Sequence, residues 1–304
     1  MNKTAFLFPG QGSQYIGMAQ DLYQNSVEAK EMIKTADDAL GINLSYILFN
    51  GPEDRLKQTE FTQPAIFLHS VILSSIIRTL TPYATAGHSL GEYSALVTAG
   101  AVQFYEALKL VRERGIAMQQ AGTDFPGTMA AIVGLNPDKV IDICKEANTD
   151  GIVQCANFNS PGQIVISGSS AGVKKAMEIC KANGAKMVKE LVVSGAFHSP
   201  LMETAKAKLL LALDSTNFYD AKFPVYTNVT AEPVTDKSEI KRLLYEQVTS
   251  PVRWEETINN MIRDGITEFY EIGPGKVLQG LIKRINPDVK FYGIDKFEDV
   301  ESFL

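Results

Sequence analysis

Gly87-His88-Ser89-Leu90-Gly91 is the stretch that most restricts what this chain can become. A G-x-S-x-G pentapeptide between a strand and a helix makes a sharp turn. Its glycines let the backbone bend and lift the serine oxygen into a cleft. The flanks predict that context: Pro82 and the small run 83–86 lead in as a short strand, and residues 90–99 read as a helix stopped by Gly100. Ser89 is therefore the candidate nucleophile. The amide of Leu90, at the positive end of the following helix, is placed to hold a developing oxyanion.

The rest of the chain alternates in the same way. Residues 4–8 form an apolar run suited to a buried strand and lead into Pro9-Gly10-Gln11-Gly12-Ser13-Gln14. Glycines at 10, 12 and 17 do not fit G-x-G-x-x-G and no G-K-[ST] follows, so a phosphate loop is disfavoured against a plain turn. Residues 27–48 are mostly helical, and Gln63-Pro64 is expected to open an apolar helix to residue 80, with His69 as a packed core histidine. In 104–120 an apolar stripe marks a helix on a core, with Arg112 and Arg114 on either side of it. An arginine at the edge of a buried face needs an anionic partner, from the protein or from a substrate. Spacing alone does not choose between the two.

Residues 123–193 have an order of their own. Strands are predicted at 129–133, 151–158, 163–167 and 185–193, and helices at 136–147 and 170–183, with Asn159-Ser160-Pro161-Gly162 as a turn. That order, β-α-β-β-α-β, is the ferredoxin-like unit. After it, Ser199 is a good N-cap and Pro200 a good first helical residue, which places His198 just before a helix N-terminus. The positive end of that helix keeps the imidazole neutral, as a base requires. An exposed loop histidine is the alternative, and His88 is the weaker base candidate. Predicted strands at 223–229, 267–272 and 290–294, separated by helices at 238–248, 254–264 and 276–285, complete a mostly parallel sheet covered on both sides.

Composition excludes several function classes. A formal net charge of -6 gives no basic field for nucleic acid or an anionic membrane. The most apolar stretch, 66–77, is too short to span a bilayer, and Met1-Asn2-Lys3 does not open a signal peptide. Cys144, Cys155 and Cys180 form no C-x-x-C pair and read as buried thiols of a cytoplasmic protein. With only His69, His88 and His198, a multi-histidine metal site is not expected.

FPGQGSQ at 8–14, TQPA at 62–65, GHSLGEYSAL at 87–96, ERG at 113–115, NFNSPGQ at 157–163, GAFHS at 195–199, EQVTSPVRW at 246–254 and EIGPGKVL at 271–278 occur in order across nearly the whole chain. In that order and spacing the chain resembles the malonyl-CoA:acyl carrier protein transacylases. The resemblance implies an α/β fold: a large hydrolase-like α/β domain with a mostly parallel sheet (1–123 and 194–304) and an inserted ferredoxin-like β-α-β-β-α-β subdomain (124–193). It implies Ser89 as nucleophile, His198 as base, and the backbone carbonyl of Gln247 orienting the imidazole. It also implies the amides of Gln11 and Leu90 as the oxyanion hole, and Arg114 gripping the malonyl carboxylate. Gln63 and Asn159 match positions that line the cleft.

Malonyl-CoA is then the substrate, and phosphopantetheine is carried by the partner, an acyl carrier protein. No bound cofactor or metal, no nucleic acid, no membrane and a monomer are expected. Ala196-Phe197-His198 is similar to the signature of malonyl-selecting polyketide acyltransferases, whereas many fatty-acid enzymes have proline at the position of Ala196. Phe197 leaves less room for an α-methyl branch. Two rivals are an editing acyl hydrolase of the same fold in a polyketide pathway and a non-catalytic scaffold that docks carrier proteins. Lys186, Lys189, Lys276 and Lys283 are candidate docking residues, with plain solvated surface as their alternative.

Overall fold

Strand β1 (Lys3–Phe8) is buried on both faces, as its unbroken run Ala5, Phe6, Leu7, Phe8 requires of a central parallel strand. The computed structural model describes residues 3–304. In chain order the other strands are β2 (Ala84–Gly87), β3 (Gly127–Val133), β4 (Val153–Ser160), β5 (Gln163–Ser169), β6 (Met187–Glu190), β7 (Val225–Tyr226), β8 (Pro233–Val234), β9 (Ile266–Ile272) and β10 (Lys290–Ile294). Six of them form one sheet in the order β10-β9-β1-β2-β7-β8, parallel throughout except at β7–β8. Apolar residues pack on both of its faces: Leu7, Trp254 and Phe269 belong to one cluster, Phe8, Phe67 and Leu96 to the other.

The second sheet is antiparallel, in the order β4-β5-β3-β6. Helices Pro137–Ala147 and Ser170–Ala182 cover it and share a core of Ile132, Val140, Cys144, Ile166 and Val173. The element order is the ferredoxin-like one. β4 runs on to Ser160, so the turn shrinks to Pro161-Gly162 and Asn159 is a strand residue, not a turn residue. The small sheet is tied to the larger unit through Val252, just ahead of helix Trp254–Arg263: Phe158 N–H donates to Val252 O (2.9 Å) and Val252 N–H to Ala156 O (2.8 Å).

Other elements also differ from the sequence expectation: the strand expected over 185–193 is confined to Met187–Glu190. The helical stretch 27–48 is broken at Gly41 (φ 62°) into helices Val27–Leu40 and Leu44–Asn50. The strand expected over 223–229 stops at Tyr226, because the chain turns there: Thr227 N–H donates to Glu232 O and Ala231 N–H to Thr227 O. The apolar helix begins at Thr59, ahead of the Gln63-Pro64 pair expected to open it, and continues to Ile76.

Pro64 thus sits inside a helix, where it offers no N–H to the carbonyl of Glu60. The guanidinium of Arg112 takes over, donating from Nη1 to that carbonyl and from Nη2 to the Glu60 carboxylate (2.8 Å). Arg112 therefore has a structural anionic partner. Arg112→Met is expected to lower stability by about 0.5–1.5 kcal/mol, since the part-buried Glu60 carbonyl and carboxylate lose their donor. Pro64→Ala in that background should recover part of the loss by restoring the N–H. A calorimetric double-mutant cycle checks this, and strictly additive effects would contradict it.

Candidate active site

β2 ends at Gly87 and the next helix, Gly91–Thr98, begins at Gly91. The turn between them is so tight that a Cβ on Gly87 would collide with the backbone of Gly91, and one on Gly91 with the Phe8 carbonyl. Ser89 is held at φ 51°, in the left-handed region, which costs an L-residue about 1–2 kcal/mol. Asn228, fully buried, holds it there. Its Oδ1 accepts from Ser89 N–H (2.6 Å) and its Nδ2 donates to Gly87 O (2.6 Å), so one amide spans the turn.

Ser89 Oγ donates to His198 Nε2 at 2.8 Å. On the far side of the ring, Nδ1–H faces two carbonyls, Gln247 O at 2.9 Å and Ser250 O at 3.1 Å. Two acceptors fix the proton on Nδ1 and leave the Nε2 lone pair for the serine. His198 is itself left-handed (φ 56°). Its carbonyl accepts from Gln154 Nε2 (2.8 Å), and the turn it occupies is closed by Ser199 Oγ donating to Ala196 O (2.6 Å). Burial, reinforced by the charge of Arg114, pushes its pKa down to about 3, so the imidazole is neutral. His88 turns away from the serine: its Nε2–H donates to Asn159 Oδ1 (2.9 Å) and its ring lies 5.5 Å from that of Trp254.

Arg114 is 1% exposed. Nη1 donates to Gln63 Oε1 (2.7 Å), and Nη2 donates to Gln247 Oε1 (2.9 Å) and to Ser89 Oγ (3.1 Å). No carboxylate pairs with it and Nε has no partner, among the described residues. Burial lowers its pKa from the ordinary value. A buried guanidinium partnered only by amide and hydroxyl oxygens is under-compensated, and a ligand carboxylate is the group that would complete it.

The remaining expected residues line one cleft of about 930 Å³, lying between the two sheets: Gln11, Leu90, Gln63, Asn159 and Phe197 share it with Ser89, His198 and Arg114. Loop 9–14 approaches the serine turn closely, since Gly10 packs on the His88 carbonyl where a Cβ would not fit. The backbone amides of Gln11 and Leu90 have no acceptor among the described residues. Lys186, Lys189, Lys276 and Lys283 are exposed, and Val277, beside Lys276, lines the cleft. Among the described residues no His/Cys/Asp/Glu group could hold a metal ion, and no helix is long and apolar enough to cross a membrane.

Sequence reasoning missed Asn228, Ser250, Gln154, Glu92 and the side chain of Gln247. Of these only Glu92 carried a signal, a carboxylate in the first turn of the helix behind the serine. It is 1% exposed, and its Oε2 accepts from Asn228 N–H and from Gln247 Nε2, both at 2.9 Å.

Residues 5–290 match the acyl transferase domain family. A malonyl CoA-acyl carrier protein transacylase from Bacillus subtilis (strain 168) is 47% identical over 304 residues, covering 99% of this chain and 96% of that protein. One from Staphylococcus aureus (strain MRSA252) is 46% identical, with 100% and 99% covered. The solved malonyl CoA-acyl carrier protein transacylase of Coxiella burnetii superposes with a TM-score of 0.96 at 40% identity, covering 99% of this chain and 96% of that one. A type II PKS acyl-carrier protein has been solved in complex with its malonyl-transacylase, to which this chain is similar with a TM-score of 0.96 at 39% identity, 99% of each chain being covered. The chain belongs to the acyl transferase family and, within it, to the malonyl-CoA:acyl carrier protein transacylases.

Proposed function

We propose that Ser89 accepts the malonyl group of malonyl-CoA as an ester and passes it to the phosphopantetheine thiol of an acyl carrier protein. His198 Nε2 takes the Ser89 proton as Oγ attacks the thioester carbonyl. The amides of Leu90 and Gln11 receive the oxyanion, and Nε2 returns the proton to the departing CoA sulfur. The carrier thiol then gives its proton to His198 and attacks the ester, and Ser89 leaves with that proton. Both halves use one base and one oxyanion site, so ping-pong kinetics follow. Among the described residues no carboxylate contacts the His198 ring; its Nδ1 faces the carbonyls of Gln247 and Ser250.

The observation that carries this reading is Arg114, a buried cation donating to Ser89 Oγ itself with no carboxylate partner among the described residues. An editing hydrolase would have to accept uncharged acyl chains and leave that cation unpaired. Residues 1–123 with 194–304 form the catalytic unit in this reading and 124–193 the small one, with the cleft between them. We assign Gln63 to holding Arg114, Phe197 to limiting branching at the malonyl α-carbon, and Asn159 to the acyl-pantetheine side of the cleft. An acidic carrier of fatty-acid or polyketide synthesis would approach the exposed Lys186, Lys189, Lys276 and Lys283. We place the enzyme in the cytoplasm as a monomer needing no bound cofactor; its buried, unpaired thiols at 144, 155 and 180 suit a reducing compartment.

Arg114→Ala is expected to lose malonyl loading by a factor of about 10 to 150, the value of a charge-assisted bidentate pair of about 1.5–3 kcal/mol. Acetyl loading should be kept or gained. A thiol-release assay with both CoA esters checks it, and unchanged malonyl loading would remove the role of Arg114. The pH dependence follows from His198: with its pKa held down to about 3, the base is already neutral throughout the weakly acidic range. The rate profile should show no acid limb near the ordinary imidazole value of about 6.5. Removing the Arg114 charge raises the His198 pKa, so the acid limb of acetyl loading should move to higher pH in Arg114→Ala. A limb at the ordinary value in the unmodified enzyme would contradict this.

A further inference from the structure

Behind the serine turn lies a carboxylate that the mechanism above does not use. Glu92 occupies the first turn of helix Gly91–Thr98 and is 1% exposed. Its Oε2 accepts from the backbone N–H of Asn228 and from Nε2 of Gln247. The same Gln247 Nε2 donates to Ser89 O at 3.1 Å. A carboxylate and a carbonyl can only accept, so the amide of Gln247 must turn its NH2 toward them. Its Oε1 is thereby delivered to Arg114 Nη2, 2.9 Å away, and the same Nη2 donates to Ser89 Oγ. Glu92, Gln247 and Arg114 form a line in which one neutral amide separates an anion from a cation.

We propose that Glu92 is a positioning and specificity residue for acyl transfer: with the Ser89 carbonyl it holds the Gln247 amide in the orientation that supports Arg114, and through that amide it sets the positive field that the malonyl carboxylate meets. The inference rests on the reading of Arg114 as the partner of that carboxylate. A direct Glu92–Arg114 ion pair would occupy the donors that the substrate needs. Held one amide away, Glu92 compensates the cation without itself occupying the guanidinium, whose Nη2 reaches Ser89 Oγ. The charged and titratable groups bearing on Glu92 are Arg114, from helix Phe104–Asp124, and Tyr93 on its own helix; Asn228 and Gln247, from the other two elements, are neutral.

A malonyl carboxylate entering the cleft brings a second anion to the same cation. Burial raises the Glu92 pKa to about 7, against the opposing pull of Asn228, Gln247 and Arg114. Near neutrality, therefore, malonyl binding favours the protonated form of Glu92, and by linkage ionisation of Glu92 weakens malonyl binding. Acetyl groups carry no charge and do not feel this competition.

Steady-state transfer from malonyl-CoA and from acetyl-CoA, followed from about pH 6 to about pH 9, tests the proposal. Both donors to Glu92 reach one oxygen, so the amide oxygen in Glu92→Gln keeps an acceptor for each while the charge is removed. In the unmodified enzyme KM for malonyl-CoA is expected to rise by about fivefold or more across that range, while KM for acetyl-CoA stays level. In Glu92→Gln the malonyl KM should stay low and level. Glu92→Ala, which leaves Gln247 Nε2 with Ser89 O as its one acceptor and strips the Asn228 N–H of its own, should lower kcat for both esters by about tenfold or more relative to Glu92→Gln. A Glu92→Gln enzyme that keeps the rise of malonyl KM with pH overturns the field role, and equal kcat in the Gln and Ala variants overturns the positioning role. Arg114→Ala separates the two readings: if it retains malonyl loading, both fall together. If it loses malonyl loading while Glu92→Gln behaves as the unmodified enzyme, only the Glu92 inference falls.

Discussion

The left-handed backbone of Ser89 is the constraint on which the site depends. A serine at φ 51° does not hold that conformation by preference, and without support the turn would relax and take the oxygen out of the cleft. The support is long-range. Asn228 stitches Gly87 O to Ser89 N–H, Gln247 bonds the Ser89 carbonyl, and loop 9–14 packs on the residue just before the serine. The parallel pairing of β1, β2 and β7 brings these groups together, because each strand ends at the same edge of the sheet. The strain is thus distributed over the catalytic unit. The proposed nucleophile is thus oriented by the protein alone.

Charge at the site follows a second logic. The imidazole is held by carbonyl dipoles, not by a carboxylate, so no full anion stands ready to stabilise an imidazolium. Burial and the nearby guanidinium both disfavour protonation, and the resting base is neutral. The one buried anion of the site, Glu92, is kept behind an amide. In the proposed reaction, a malonyl group paired with Arg114 would also screen the cation from His198 and so strengthen the base.

Legibility in the sequence followed the range of the interactions. The serine turn, the helix after it, and the cap at Ser199 that places His198 are local features, and glycine spacing and capping residues express them directly. The order of the small antiparallel unit was legible because turn signals separate its strands. Gln11, the Gln247 carbonyl and the choice of Arg114 came from the resemblance, not from spacing. Arg112 shows why: it lies two residues from Arg114 on the same helix, and only the Glu60 carbonyl left open by Pro64 reveals its structural role. Asn228 was illegible for a similar reason. It follows a two-residue strand and acts on a serine 139 positions away, and nothing near it in sequence marks it as anything but a turn residue.

The central claim is that acyl transfer proceeds through an ester on Ser89. Intact-protein and peptide mass spectrometry after incubation with malonyl-CoA alone tests it most directly. One malonyl group per chain should appear on the peptide containing Ser89, should be discharged on adding an acyl carrier protein that bears its pantetheine thiol, and should be absent from Ser89→Ala. An unmodified chain under conditions where transfer is rapid, or an adduct that persists in Ser89→Ala, would contradict the account.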